Sequence, residues 1–358
     1  MSQSLEDLRR QIDSIDDQLL DLLNRRMEIV KEVGKLKKNE NTVIYRPERE
    51  MQIIERLHQK TAGLLNRQAL EAIFLEIFAA SRNLELPEKV AYLGPEGSFT
   101  HAAAESRFGA MSEYLAMPAI ATVFEAVQTG KARFGVVPIE NNQEGVVAET
   151  MDSLESFNLK IVAEVAQPIH FCLATVADSI TSIRKIYSKD IAFRQCQNFM
   201  SKYLRDQEVH MIPVNSTSEA ARMALKEGPE TAALCSSVAA KIYKLPVLFD
   251  NVEDADYNMT RFLILAKDFI NQKGKQDKTT ILAKLPDKPG GLVSFLQDFH
   301  QRNINLTKIE SRPVRGERSF ATWFYIEFDG HRDDDAVQEI LNKYDDRLIW
   351  LGSYVKAL

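Results

Sequence analysis

Cysteine is scarce: Cys172, Cys196 and Cys235 are the only three in 358 residues. An odd, widely spaced set offers neither a disulfide framework nor a zinc site, and it fits a reducing, cytoplasmic compartment. No run approaches the roughly 18 apolar residues of a membrane span; the densest lies near Phe262–Ala266. The opening Met1-Ser2-Gln3-Ser4-Leu5-Glu6 has no basic stretch followed by an apolar one, so no signal peptide is expected. Positive charge is in deficit, 45 Lys and Arg against 51 Asp and Glu, for a net charge of −6. No overall basic field exists to hold nucleic acid or an anionic membrane. An anionic ligand must be bound by a few placed cations. Missing as well are the P-loop, G-x-G-x-x-G, H-E-x-x-H, C-x-x-C and G-x-S-x-G. ATP use, NAD-dependent hydride transfer and zinc hydrolysis are disfavoured, and no cofactor or metal is expected.

What is present falls into three textures. Over 1–86 the pattern is helical. Leu5, Leu8, Ile12, Ile15, Leu19, Leu22, Ile29, Val33 and Leu36 follow the alternating three–four spacing of a heptad seam. Pro47 suits the first turn of a second helix reaching about Gln59. Asn66 can cap a third, with Leu70, Phe74 and Ile77 facing inward. After a break at Leu86–Lys89, short buried strands alternate with helical stretches, which predicts an α/β domain over 89–268. Polar Asp268–Lys278 has the composition of a linker. Residues 278–358 then read strand, helix, strand, strand, helix, strand, the βαββαβ order of a ferredoxin-like α+β domain.

Arg26 occupies the seam position between Leu22 and Ile29. By itself it is compatible with a register-setting residue or an arginine snorkelling out of the seam. Its neighbours favour a ligand. Arg9 and Lys37 follow seam residues on the same helix, Arg49 and Glu50 lie on the second, and Ser81 and Glu85 share a face of the third. Fixed cations beside hydrogen-bonding side chains suit a dicarboxylate. Along one helix Arg9 and Lys37 are about 42 Å apart at 1.5 Å per residue. A small ligand meets both only if two chains pair with their long helices antiparallel.

Leu8-Arg9, Arg25-Arg26, Glu32-Val33-Gly34-Lys35-Leu36-Lys37, Arg46-Pro47-Glu48-Arg49-Glu50 and the Ser81, Glu85 pair resemble the all-helical chorismate mutase domain, an intertwined three-helix dimer. The resemblance implies chorismate contacts from Arg9 (supplied by the second subunit), Arg26, Lys37, Arg46, Arg49, Glu50, Ser81 and Glu85. Arg46 stands where family members carry aspartate, and Glu85 where some carry glutamine. Rearrangement of chorismate to prephenate needs no nucleophile. The protein holds a near-attack conformer and stabilises charge growing on the ether oxygen. Lys37 is the expected catalytic donor, joined by a protonated Glu85 whose pKa is raised by burial beside the substrate anion.

In the middle segment, Ser98 can simply cap a helix, and Ser216-Thr217-Ser218-Glu219 is a capping box. Their joint order says more. Gly94-Pro95-Glu96-Gly97-Ser98-Phe99-Thr100, Val137-Pro138-Ile139-Glu140-Asn141, Gln195-Cys196, Ser216-Thr217-x-Glu219-Ala220-Ala221 and Asn258-x-Thr260-Arg261-Phe262 resemble prephenate dehydratase over about 88–267. That family implies two α/β lobes around a cleft, like periplasmic binding proteins. Ser188-Lys189-Asp190-Ile191 departs from the usual His-Pro-Gln. Thr260 is the expected catalytic group, hydrogen-bonding the leaving hydroxyl. Ser98, Asn141, Thr217 and Arg261 are expected to bind prephenate.

In the last segment, Lys288-Pro289-Gly290-Gly291-Leu292-Val293 and Asn305-Leu306-Thr307-Lys308-Ile309-Glu310-Ser311-Arg312-Pro313, set in βαββαβ, resemble an ACT domain of the phenylalanine-sensing type. The resemblance implies phenylalanine held between paired domains by Gly291, Leu292, Val293, Glu310, Ser311 and Arg312. Three modules in this order imply conversion of chorismate to prephenate and of prephenate to phenylpyruvate. They also imply feedback inhibition by phenylalanine and a homodimer or tetramer. Two alternatives are an arogenate dehydratase and a non-catalytic amino-acid-sensing binding protein. The missing dinucleotide fingerprint disfavours a mutase–dehydrogenase fusion.

Overall fold

A computed structural model describes residues 4–40, 46–61, 63–85, 89–205, 207–255, 257–313 and 322–357, with the side chains of 37–40 outside the description. The chain divides into two compact units: Met1–Glu88 with Phe108–Glu113, and Lys89–Arg107 with Tyr114–Leu358. No helix among the described residues is long and apolar enough to cross a membrane.

The first unit is built on α1 (Leu5–Glu40), α2 (Pro47–Lys60) and α3 (Arg67–Glu85). Pro47 opens α2, where its missing N–H costs nothing. Asn66 caps α3, its side-chain oxygen accepting from the Ala69 N–H at 2.8 Å. α3 packs against both other helices and buries Leu70, Phe78 and Ala79. The heptad seam of α1 is left open: Leu5, Ile12, Ile15, Leu19, Leu22 and Ile29 are all more than half exposed. At 1.5 Å per residue α1 is about 54 Å long, far more than the 19 residues of α3 can cover.

The second unit begins with β1 (Lys89–Leu93), α4 (Phe99–Phe108), β2 (Glu113–Met117), α5 (Ile120–Gln128), β3 (Phe134–Asn141), β4 (Gly145–Val146), α6 (Ala148–Ser156) and β5 (Lys160–Pro168). The chain then crosses to a second sheet. That lobe holds β6 (Cys172–Thr175), β7 (Lys185–Ser188), α7 (Asp190–Gln195), α8 (Gln197–Tyr203) and β8 (His210–Pro213). It continues with α9 (Thr217–Glu227), β9 (Thr231–Cys235), α10 (Ser237–Ile242) and β10 (Val247–Phe249). β11 (Met259–Ala266) returns to the first sheet and lies antiparallel between β3 and β5. The sheet orders are β2-β1-β3-β11-β5, with β4 on β3, and β10-β6-β9-β7-β8. Two crossings between two sheets make the two-lobed α/β arrangement.

The chain ends with β12 (Asp277–Ala283), α11 (Gly291–Gln301), β13 (Leu306–Pro313), β14 (Thr322–Asp329), α12 (Asp335–Lys343) and β15 (Leu348–Val355), in the antiparallel order β13-β14-β12-β15. The βαββαβ pattern stands, and the connecting segment, which has no helix or strand before β12, is anchored at two points. Phe269 and Asn271 are buried, and the Asn271 amide donates to the Val162 carbonyl at 2.7 Å and the Ser353 carbonyl at 3.1 Å. The neighbouring Gln272, Lys273, Lys275 and Gln276 remain exposed. This terminal sheet is covered on both faces. Ile281, Ile326 and Phe328 pack on Phe295 and Phe299 of α11. Leu282, Trp323, Tyr325, Leu351 and Tyr354 join Met151, Leu154, Ile161 and Leu263 of the first lobe in one core. A Cβ on Gly352 would lie 2.1 Å from the Ile161 carbonyl oxygen, so β15 reaches β5 only because that position has no side chain.

Candidate active sites

In the helical unit Arg26 turns inward from the seam. Its Nη1 donates to Ser81 Oγ at 2.5 Å, and Ser81 Oγ donates to the Ile77 carbonyl at 2.6 Å. The guanidinium lies 5.9 Å from the centroid of Phe78. Burial lowers the Arg26 pKa and the nearby Glu85 carboxylate opposes that shift; an arginine remains a cation regardless. A Cβ on Gly34 would lie 3.2 Å from Glu85 Cγ, so the bare backbone of α1 makes room for that carboxyl. Glu50 is engaged differently from expectation: it forms an ion pair with Arg82, which is buried and also donates to the Phe108 carbonyl at 3.1 Å. Arg82 escaped the sequence reading, although an arginine among the apolar residues of α3 was the signal. The Arg46 carbonyl caps α2, accepting from Arg49 N–H at 3.0 Å and Glu50 N–H at 3.1 Å. Arg49 and Arg9 are exposed, and Arg9 is roughly 25 Å along α1 from Arg26. The Lys37 side chain lies outside the described residues. One chain therefore joins Arg26, Ser81 and Glu85, but not Arg9.

Between the two lobes lies a cleft of about 570 Å³ lined by Gly94, Pro95, Ser98, Phe99 and Thr100 on one side and Lys189, Ile191, Asn215, Thr217, Glu219 and Arg222 on the other. That volume suits a small organic acid. Ser98 does cap α4: its hydroxyl accepts from the His101 N–H at 3.2 Å and donates to the Leu93 carbonyl at 3.0 Å. Gly97 takes a positive φ of 81°, and a Cβ there would press within 2.8 Å of Ser218 Oγ, so the loop needs glycine. Ser236 Oγ binds the Gly97 carbonyl at 2.9 Å, tying the loop to the second lobe. Ser216 caps α9 by accepting from the Glu219 N–H at 3.0 Å. Thr217 is only 8% exposed, and its hydroxyl has no hydrogen-bond partner among the described residues.

Thr260 belongs to a separate polar cluster on β11. Asn141 Nδ2 donates to Thr260 Oγ1 at 2.9 Å and to Asn258 Oδ1 at 2.8 Å. Asn258 Nδ2 donates to Gln195 Oε1 at 3.0 Å, and Gln195 Nε2 to Gln143 Oε1 at 2.9 Å. Because Thr260 Oγ1 accepts from the amide, its own proton stays available for a leaving hydroxyl. The chain of amides holds the side chain at the seam between lobes, since Gln195 comes from the second and Asn141 from the first.

Arg261 requires a correction. It was expected to bind prephenate, but its guanidinium is taken by Glu140 at 2.6 Å, Glu164 at 2.7 Å and Glu327 at 2.8 Å. Successive strand residues leave on opposite faces, so Arg261 points away from Thr260 and toward the terminal sheet. Lys278 adds contacts to Glu164 at 3.0 Å and Glu327 at 3.1 Å, and Lys308 pairs with Glu140. Burial disfavours ionisation of Glu327, but Arg261, Lys278 and a hydrogen bond from Tyr325 prevail and hold its carboxyl below the usual range. Burial likewise opposes ionisation of Glu140, and Arg261 with Lys308 overcomes it. Burial works against the Arg261 cation as well, yet Glu327 foremost, with other anionic partners, raises its pKa.

The effector residues split between the faces of the terminal sheet. Ile309 and Ser311 pair with Ile326 and Phe324 and share the helix-covered face, near which Gly291, Leu292 and Val293 open α11. Glu310 and Arg312 pair with Tyr325 and Trp323 on the face that meets the first lobe. Arg312 is engaged there by Asp152 of α6, at 2.9 and 3.1 Å. Within one chain the six residues do not converge, and Arg312 serves as a clasp between modules. Among the described residues no group of three or more His, Cys, Asp or Glu side chains could hold a metal ion.

A helical unit with a half-buried arginine–serine pair beside a carboxylate, a two-lobed α/β cleft and a ferredoxin-like module define a multidomain enzyme of the class that appends a small sensor to its catalytic lobes. The family models that match are chorismate mutase type II over residues 8–86, prephenate dehydratase over 90–269 and the ACT domain over 279–346. The bifunctional chorismate mutase/prephenate dehydratase of Aquifex aeolicus is 40% identical over 363 residues, covering 99% of either chain. The chain belongs to the bifunctional chorismate mutase/prephenate dehydratase family. A prephenate dehydratase from Arthrobacter aurescens, solved in complex with L-Phe, is similar with a TM-score of 0.68 and 31% identity, covering 75% of this chain and 90% of that one. A structure described as a novel type of quorum quenching acylase also reaches a TM-score of 0.68, at 26% identity, covering 75% of this chain and 98% of that one. One fold thus carries differently named activities, and family membership rests on the full-length match.

Proposed function

We propose that the chain rearranges chorismate to prephenate in its helical unit, converts prephenate to phenylpyruvate in the cleft, and is inhibited by phenylalanine through its terminal module. The collinear match along 99% of a bifunctional relative carries this reading. In the first reaction Arg26 binds a substrate carboxylate, while Lys37 donates to the ether oxygen as charge develops there, with Glu85 beside it. In the second reaction the Thr260 hydroxyl hydrogen-bonds the departing hydroxide. Loss of carbon dioxide and aromatisation of the ring supply the driving force. Arg9 belongs to the mutase site of a second subunit, which makes the working form at least a homodimer; the exposed seam of α1 supports this. Its three cysteines, all free and buried, fit a cytoplasmic location.

The test follows product formation from chorismate by the purified chain. Phenylpyruvate is expected from the wild type. Thr260→Val should accumulate prephenate, with dehydratase turnover down about 10²–10⁴-fold. Normal phenylpyruvate production by that variant would remove Thr260 from the mechanism, and consumption of arogenate in preference to prephenate would change the substrate.

A further inference from the structure

With Arg261 held by three carboxylates on the far face of β11, the cleft must find its charge for prephenate elsewhere, because prephenate carries two carboxylates. The cleft lining contains two cations, Lys189 and Arg222. Arg222 shares its charge with Glu219, 3.4 Å away and also in the lining. Lys189 has no ion pair and no side-chain hydrogen bond among the described residues.

The backbone around Lys189 is fixed while its side chain is free. Ser188 is fully buried and its hydroxyl donates to the Leu234 carbonyl at 2.6 Å. The Lys189 carbonyl accepts from the Ala192 N–H at 2.9 Å. β7 runs parallel to β8 and β9, so Lys189 leaves the carboxyl end of parallel strands, where α/β folds place ligands. The Ser188 carbonyl accepts from the Val214 N–H at 2.8 Å, which sets Lys189 beside Asn215, two residues before Thr217. Thr217 supplies the second observation: a side chain of a residue only 8% exposed, its hydroxyl without a partner among the described residues, in the wall of the same cleft at the first turn of the 11-residue α9.

We propose that Lys189 and Thr217 form the subsite for the pyruvyl carboxylate of prephenate. This deepens the dehydratase reading and rests on it. The choice between the two carboxylates follows from the chemistry. Prephenate dianion gives phenylpyruvate anion, carbon dioxide and hydroxide; the ring carboxylate surrenders its electron pair to the ring as the C–O bond breaks. A cation on that group would stabilise the substrate more than the transition state and slow the reaction. The pyruvyl carboxylate keeps its charge throughout, so a cation there binds substrate, transition state and product alike. Such uniform binding lowers KM and leaves kcat nearly unchanged.

The experiment uses the full-length chain with prephenate as substrate and phenylpyruvate as product inhibitor. Lys189→Met is expected to raise KM about 10- to 100-fold with kcat within a few-fold. It should weaken inhibition by phenylpyruvate in parallel, because the product retains the carboxylate in question. Lys189→Arg should recover most of the affinity, and an unchanged melting temperature will report an intact fold. A KM equal to that of an active wild type overturns the subsite alone. A fall in kcat with unaltered phenylpyruvate inhibition overturns the assignment to the pyruvyl group. A wild-type chain that never consumes prephenate removes the dehydratase reading and this inference with it.

Discussion

Side chains of adjacent strand residues leave on opposite faces, so Thr260 and Arg261 cannot serve one small ligand. That rule was available from Asn258-Met259-Thr260-Arg261-Phe262 once the segment was read as a strand, and applying it would have moved Arg261 out of the cleft. Its actual partners were not legible, because Glu140, Glu164 and Glu327 lie 121, 97 and 66 residues away in the chain. The two roles predict opposite behaviour of Arg261→Lys. A substrate ligand would lose affinity for prephenate at little cost to stability. An arginine bridging buried carboxylates loses its fork, which lysine does not reproduce. We expect the second result: a loss of about 3 kcal/mol in denaturant unfolding, with a KM for prephenate changed far less than by Lys189→Met. Unaltered stability with a large rise in KM would return Arg261 to the cleft. The cap made by Ser98 was legible because cap chemistry is local, whereas the Asn141 contacts to Asn258 and Thr260 span 117 and 119 residues. The Arg82 partner of Glu50 was not legible because it sits on another helix.

Elements with a strong period were the most legible. The heptad spacing of α1 and the proline at the start of α2 depend on neighbours in sequence, and both appear where expected. The polar stretch after β11 was legible only in part, since composition alone cannot single out Asn271, which is hydrogen-bonded to Val162 and Ser353, from its exposed neighbours. The exposed seam of α1 carries its own prediction. An apolar stripe that α3 leaves uncovered, with Arg9 distant from Arg26, is what the proposed pairing with a second, antiparallel α1 would cover. Arg9→Ala and Arg26→Ala chains should each lack mutase activity. Mixed and allowed to exchange subunits, they should recover about a quarter of wild-type activity, because half of the dimers then hold one intact site. No recovery after verified exchange would place Arg9 and Arg26 in one subunit's site or outside it altogether. Leu19→Glu should separate the subunits and abolish mutase turnover, read by sedimentation and by prephenate formation.

At the scale of the second unit, the terminal sheet is joined to the first lobe by apolar packing and by ion pairs whose components respond to acid. Glu140 and Glu327 carry carboxyls depressed below the ordinary value of 4.5. A depressed carboxyl adds stability in full above its unfolded value and loses it as pH falls through the folded one. The contact between modules should therefore hold at neutral pH and weaken progressively below pH 4.5. Arg261, Lys278, Lys308 and Arg312 keep their charge there, so acidification leaves cations facing one another across a buried seam. The measurement is the urea midpoint of the full chain from pH 7 down to pH 3.5, for the wild type and for Glu327→Gln. The variant should begin about 3 kcal/mol less stable at neutral pH, because Arg261 and Lys278 lose a buried partner, and should then decline less steeply. Parallel declines would show that acid acts elsewhere in the chain, and that apolar packing around Trp323, Tyr325 and Leu351 is sufficient to hold the two modules together.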